Sequence, residues 1–147
     1  MKKIFFLVVA FFALTTSANA SIDPYVDVQF SILQPYYLSF TGTFFAPKES
    51  LGDSNSASID VLVYYSRDSG VCLQQNIFCM TNFNNSDDWS TDINTGFDLE
   101  PFINAGCSDF TIIFDGVFNG GLATNVRELN VHVDENKNIT YNWNFGC

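Results

Sequence analysis

The alternation of apolar and polar residues along the chain predicts strands rather than helices. Apolar side chains recur at every second position in six segments, and polar side chains alternate with them in most. The segment 59–65 is apolar on both faces at its end, as a covered central strand would be. These segments are rich in Val, Ile, Phe, Tyr and Thr, which suit a pleated, half-buried surface. They are residues 26–32, 38–44, 59–65, 110–118, 126–133 and 139–145.

The connections between these segments indicate an antiparallel arrangement. Asn119-Gly120-Gly121 and the polar residues 134–138 are typical of tight turns, so the last three strands should form a meander. Residues 82–96 are predicted to be a long polar loop, and residues 98–106 have room for a single helical turn. We therefore predict an all-β protein, an antiparallel β-sandwich or small barrel of six to seven strands.

The N-terminus has the pattern of a secretory signal peptide. Lys2 and Lys3 precede an apolar run over residues 4–14, and Ala18-Asn19-Ala20 fits the small-x-small cleavage pattern. This run is shorter than the roughly 20 residues that span a bilayer, so a cleaved signal is favoured over a retained anchor. We predict a signal peptide over residues 1–20 and one secreted β domain over residues 21–147, extracellular or, in a Gram-negative bacterium, periplasmic.

The charge of the chain excludes some partners. Without residues 1–20, four basic residues remain against sixteen acidic ones, a net charge of −12 with histidine neutral. Such a surface repels phosphate backbones and anionic lipid, so neither nucleic acid nor membrane insertion is expected. The charge serves solubility alone, or it attracts cations or a basic protein.

Four cysteines lie beyond the predicted signal peptide, and an even count in an exported domain predicts two disulfides. Of the three pairings we favour Cys72–Cys79, which closes a hairpin-sized loop, with Cys107–Cys147, which holds the last residue. The spacing lacks a close cysteine pair, and His132 is the one histidine, so zinc is disfavoured. No cofactor is expected.

The sequence favours a non-enzymatic protein. Asp68-Ser69-Gly70 has the order of the aspartic protease turn, which a dimer uses to bring two carboxylates together. Ser66-Arg67 precede it where apolar residues are usual, and an ordinary polar turn also explains it. His132 alternates with valines, so it faces away from the buried side. A dimeric aspartic protease remains a remote alternative.

A calcium site is a second hypothesis. Asp92, Asn94 and Asp98 place hard oxygen donors at alternate positions, and Gly96 permits a sharp turn. The bidentate glutamate of the helix-loop-helix calcium signature is missing, because Ile103 occupies that position. A solvated acidic loop is the alternative.

Paired aromatic residues indicate a binding surface. One member each of Tyr36-Tyr37, Phe44-Phe45 and Tyr64-Tyr65 must point away from the face that its neighbour joins. Outward rings stack on sugars or form protein interfaces. We predict Tyr36, Tyr64 and Trp89 as ligand contacts, with Trp89 in the acidic loop, and Trp143 as core. Alternatively, these rings cover a second sheet.

Asn84-Asn85-Ser86 and Asn138-Ile139-Thr140 are N-glycosylation sequons if the host is eukaryotic. Together these features predict a secreted, non-enzymatic binding or structural module of an extracellular matrix, coat or surface layer. Its expected partner is a carbohydrate or an extracellular protein. The alternative is a secreted inhibitor or effector that presents residues 82–96 to a target protein.

Overall fold

A computed structural model describes residues 25–48, 57–67, 72–82, 88–118, 122–123 and 127–145. These residues form nine strands and one short helix: β1 (Tyr25–Leu33), β2 (Tyr37–Ala46), β3 (Ala57–Arg67), β4 (Cys72–Asn82), β5 (Trp89–Asp98), α1 (Glu100–Asn104), β6 (Cys107–Phe118), β7 (Leu122–Ala123), β8 (Arg127–Val133) and β9 (Ile139–Phe145). The predicted signal peptide over residues 1–20 lies outside them. No helix in these ranges has the length and apolar character to cross a membrane.

The strands form two antiparallel sheets. One sheet has the order β1-β2-β5, and the other has the order β4-β3-β6-β8-β9 with β7 beside β6. The predicted all-β sandwich is therefore confirmed, and so is the meander at the end of the chain, since β6 pairs with β8 and β8 with β9. Helix α1 occupies the segment in which a helical turn was expected.

The two sheets enclose one hydrophobic core. Alternate residues of β1, β2, β3, β5, β6 and β8 point inward, and the largest fully buried side chains include phenylalanines from both sheets. Phe40 of β2 meets Phe114 of β6 edge to face at 5.4 Å. Trp143 also contacts Phe114, at 6.1 Å, and packs against the core as predicted. Edge-to-face contacts of this kind favour a fixed relation between the sheets.

Residues 89–96 are not part of a loop as predicted, because they belong to β5; residues 83–87 of the predicted loop lie outside the described residues. Ile93 and Phe97 are buried, while Thr91 and Thr95 fill the inward positions between and beside them. Threonine suits a strand, but its side chain is polar. The apolar–polar alternation of β5 was therefore not recognised in the sequence. The sandwich consequently has more strands than the six to seven predicted.

Strand β4 was also missed in the sequence. It lies at the edge of the larger sheet, and a bulge interrupts its pairing with β3 between Val61 and Leu62. Asn76 stabilises the bulge, because its Oδ1 accepts the Phe78 N–H at 3.0 Å. A bulge reverses the side-chain alternation, and an edge strand needs few buried residues.

The predicted Cys72–Cys79 disulfide is wrong. Both cysteines lie on β4, and seven residues of extended chain separate their Cα atoms by about 20 Å. A disulfide requires Cα atoms within about 7 Å of each other. Cys79 is instead an exposed free thiol.

The predicted Cys107–Cys147 disulfide is wrong as well, since Cys107 is a buried free thiol. Cys147 lies outside the described residues.

Candidate functional site

The outward side of the β1-β2-β5 sheet, which we call the three-stranded face, is a strip of uncharged polar side chains. Gln29, Thr41 and Asn94 form one row across the three strands. Ser31 and Ser39 continue the strip on β1 and β2. These positions alternate with the buried residues of the same strands, so their side chains point to solvent.

Aromatic rings stand at both ends of the three-stranded face. Tyr25 and Phe45 stack at one end, with ring centroids 5.3 Å apart and planes at 29°. At the other end the Tyr37 ring covers Gly96 so closely that a Cβ there would collide with it. Tyr37 and Phe45 are eight residues apart on β2, which corresponds to about 27 Å.

The central side chains of the polar strip between these rings have no hydrogen-bond partners within the described part of the chain. Gln29, Thr41 and Asn94 make no side-chain hydrogen bond to any described residue, and all three are exposed. A shallow depression of about 290 Å³ lies over β1 and β2, lined by Asp27, Gln29, Thr41, Gly42 and Thr43. A ligand here displaces water from the strip without breaking contacts within the protein.

Carboxylates border the three-stranded face. Asp27 and Asp92 lie on either side of Thr43 in one row. The Arg127 guanidinium reaches Asp27 at 4.0 Å, but the Asp27 side chain is 77% exposed, so this ion pair adds little stability. The face is therefore polar in its centre and acidic at its margins.

Within the described ranges the larger sheet has six strands, and we call the outward side of its five long strands, β4-β3-β6-β8-β9, the five-stranded face. This face is polar too, but its side chains bind one another. Thr111 donates to Asn130 Oδ1 at 2.8 Å, and Asn130 donates to Glu128 Oε1 at 2.7 Å. Asn144 donates to the same Glu128 oxygen at 3.2 Å. A ligand on this face would have to compete with bonds already formed.

His132 also lies on the five-stranded face, exposed as its alternation with valines predicted. Its Nδ1 is 2.7 Å from Asp109 Oδ1, while Ser108 donates to Asp109 Oδ2 at 2.6 Å. These contacts, that of Ser108 first and that of His132 second, lower the pKa of Asp109. The carboxylate stands between the hydroxyl and the imidazole, so this imidazole is not placed to take the serine proton as a triad requires.

Two carboxylates face each other on neighbouring strands of the five-stranded face. Asp60 of β3 is directly opposite Asp115 of β6, and Asp115 Oδ1 is buried without a hydrogen-bond partner among the described residues. Burial and, secondarily, the Asp60 charge raise the pKa of Asp115. Asp60 also accepts a hydrogen bond from the Cys79 thiol, which raises the pKa of Cys79.

Among the sequence-predicted ligand contacts, only Tyr64 points outward, half-buried on the five-stranded face. Tyr36 packs against the core, and Trp89 meets Phe44 edge to face at 5.6 Å from the core side of β5. The outward members of the first two aromatic pairs are Tyr37 and Phe45. One member of each of these aromatic pairs therefore points outward, as the strand alternation predicted. Which member of Tyr36-Tyr37 does so depends on the register of β2.

The calcium candidates do not converge. Asp92, Asn94 and Asp98 share one side of β5, where Asp92 and Asp98 are about 20 Å apart along the extended strand. Asp98 Oδ1 also accepts the Glu100 N–H at 3.0 Å and supports the start of α1. In the described ranges no three metal-binding side chains come together.

The remaining sequence candidates fall at connections. Asp68-Ser69-Gly70 lies outside the described residues, between the antiparallel partners β3 and β4. Asn84 also lies outside them, whereas Asn138 is exposed in the turn between β8 and β9.

Comparison with known proteins adds no functional information. No protein-family model matches the chain, and no curated protein matches it. A protein of known structure from Archaeoglobus fulgidus is similar with a TM-score of 0.33 and 5% identity, over 82% of this chain and 90% of that one. A likeness at this TM-score carries no argument about fold or function.

Proposed function

We propose that this protein is a secreted, non-enzymatic module that binds a linear carbohydrate along its three-stranded face. The observation that carries the proposal is the strip of unbonded hydroxyl and amide side chains between two aromatic ends. Sugars present hydroxyl groups at their edges and apolar C–H surfaces on their ring faces. The strip suits the hydroxyl groups, and the rings suit the apolar surfaces.

The dimensions of the face favour an extended glycan over a single sugar. The Cα atoms of Tyr37 and Phe45 are about 27 Å apart along β2, and the Tyr37 ring extends inward over Gly96. The rings at the two ends are therefore about 20 Å apart, a span that several linked sugar rings fill. Gln29, Thr41 and Asn94 lie between them and supply both donors and acceptors. The rings provide most of the apolar contact, and the polar row sets the position of the chain.

The charge of the face selects among glycans. Asp27 and Asp92 border the strip, and the whole chain carries a formal charge of −10. Like charges across an interface suppress binding, so sulfated and uronic acid polymers are disfavoured relative to neutral or amino-sugar chains. This preference separates the proposal from simple adsorption of the protein to any polysaccharide.

The test compares two outward tyrosines on opposite faces. The mature protein and its Tyr37→Ala and Tyr64→Ala variants are incubated with a panel of neutral, cationic and anionic polysaccharides, and retention is measured across protein concentrations. We expect Tyr37→Ala to weaken binding at least tenfold, about 1.4 kcal/mol, because the aromatic contact at one end of the strip is removed. Tyr64→Ala should bind as the unmodified protein does.

Circular dichroism and the unfolding midpoint of each variant provide the folding control. Equal loss in both variants, or loss only in Tyr64→Ala, contradicts the assignment to the three-stranded face. Retention on none of the polysaccharides contradicts the carbohydrate-binding function itself.

A further inference from the structure

We infer that Asn138 is an N-glycosylation site that is occupied when the protein is exported from a eukaryotic cell. Asn138-Ile139-Thr140 is the acceptor tripeptide, and it begins in the turn that joins β8 to β9. The inference concerns a covalent modification on the larger sheet, and it is independent of ligand binding by the three-stranded face.

The strand alternation presents the acceptor tripeptide outward. Ile139 is half-buried and packs against the core, whereas Asn138 and Thr140 are both exposed. Because neighbouring residues of a strand point to opposite sides, the inward Ile139 directs the two recognised side chains to solvent. Residues 135–137 before the acceptor are exposed as well, so the first sugars displace no packed side chain.

The hydrogen bonds of the turn leave one position on the acceptor nitrogen free. Asn138 Nδ2 donates to Asp134 Oδ2 at 2.9 Å, and the Asn138 backbone N–H donates to Asp134 Oδ1 at 2.8 Å. A side-chain amide has two hydrogens, and the turn uses one of them. A glycosylated amide keeps one N–H, and the backbone N–H of Asn138 still donates to Asp134 Oδ1 at 2.8 Å, so the turn keeps this bond to Asp134 after modification.

The chemistry of attachment is a glycosyl transfer. A bond forms between Asn138 Nδ2 and the anomeric carbon of a lipid-linked oligosaccharide diphosphate, which the secretory membrane supplies. The bond from that carbon to the diphosphate oxygen breaks, and the lipid diphosphate leaves with the electron pair. The amide nitrogen gives up one proton. The resulting surface glycan is bulky and solubilising.

The test uses the full chain, expressed in and secreted by eukaryotic cells. Enzymatic release of N-glycans in heavy-oxygen water converts each glycosylated asparagine to a labelled aspartate, which peptide mass spectrometry locates. We expect the label at residue 138 in most molecules. An unlabelled Asn138 overturns the inference, and this result does not depend on any variant.

A matched pair of variants tests the acceptor tripeptide in the same secreting cells. Thr140→Ser keeps the hydroxyl, so the glycan should remain on Asn138, whereas Thr140→Val keeps the shape and should lose the glycan entirely. Thr140 is exposed, and its hydroxyl donates to the His132 carbonyl oxygen at 3.5 Å, the long limit of a hydrogen bond. Both variants should therefore unfold within about 0.5 kcal/mol of the unmodified sequence once deglycosylated. A glycan that persists on Asn138 in Thr140→Val also overturns the inference.

Discussion

Replacement of Asp115 by asparagine should stabilise the protein at neutral pH. Asp115 faces Asp60 across the β3–β6 pair, and its Oδ1 is buried with no described hydrogen-bond partner. Asparagine has nearly the same shape, carries no charge and can donate from Nδ2 to Asp60. The substitution therefore removes a repulsion and provides a donor in the same space.

The expected gain is about 1 kcal/mol in the free energy of unfolding. Like charges directly opposite each other on a sheet cost roughly 0.2–1 kcal/mol, and a buried polar atom without a partner costs about 1–3 kcal/mol. Because the asparagine oxygen still lacks a hydrogen-bond donor, the substitution recovers only part of the cost of the buried polar atom. For a chain of this size, a gain of about 1 kcal/mol raises the Tm by about 3–5 °C.

The pH dependence gives the sharper test. The pKa of Asp115 is raised above its ordinary value of 3.8. Below 3.8 the carboxyl is therefore protonated in both the folded and the unfolded state, and its charge does not lower the stability of the folded protein. As the pH rises from 3.8 through the folded-state pKa, the unmodified protein loses stability relative to Asp115→Asn, and the difference is constant above that range. The advantage of the variant should thus be present at pH 7 and small at pH 3.5.

Urea unfolding of both proteins, followed by the fluorescence of the core-packed Trp89 and Trp143, measures this difference. Asp92→Asn is the control, because it removes an exposed carboxylate and should change stability by less than about 0.5 kcal/mol. A destabilised Asp115→Asn, or an equal gain at both pH values, would refute the reasoning.

Two other changes test the fold. Gly42→Ala should destabilise by about 1–3 kcal/mol in urea unfolding, because its Cβ would collide with the Asp27 carbonyl oxygen of β1; unchanged stability would contradict this packing. Alkylation followed by mass spectrometry should show that exposed Cys79 reacts in the folded protein, whereas buried Cys107 reacts only after unfolding. The reaction of Cys79 should be slow at neutral pH, because its hydrogen bond to Asp60 raises its pKa. A disulfide on either cysteine would contradict the two free thiols.

Period-two alternation was enough to predict six of the strands. Val26 and Val28 in β1, or Leu38 and Phe40 in β2, alternate with polar residues because one side of each sheet faces the core and the other faces solvent. The same logic placed Trp143 on the core side.

Strands β4 and β5 were missed in the sequence for identifiable reasons. In β5 the inward Thr91 and Thr95 look like loop residues, although tertiary packing half-buries them. In β4 the bulge near Ile77 breaks the alternation. The expectation of a hairpin loop at Cys72–Cys79 followed from this missed strand, and with it the wrong disulfide.

The candidate site was only partly predictable. Sequence identified the aromatic pairs, but which member of Tyr36-Tyr37 points outward depends on the register of β2 against β1 and β5. That Asn94 lies beside Thr41 is a long-range pairing with no local signal. The lack of internal hydrogen bonds on this row is visible only in three dimensions.

NMR chemical-shift mapping is the most direct test of carbohydrate binding by the three-stranded face. The isotope-labelled mature protein is titrated with fragments of whichever polysaccharide retains it. We predict saturable shifts confined to residues of β1, β2 and β5, including the side-chain amides of Gln29 and Asn94. Shifts centred on Tyr64 and Asn130 of the five-stranded face, or no shifts at all, would contradict the account.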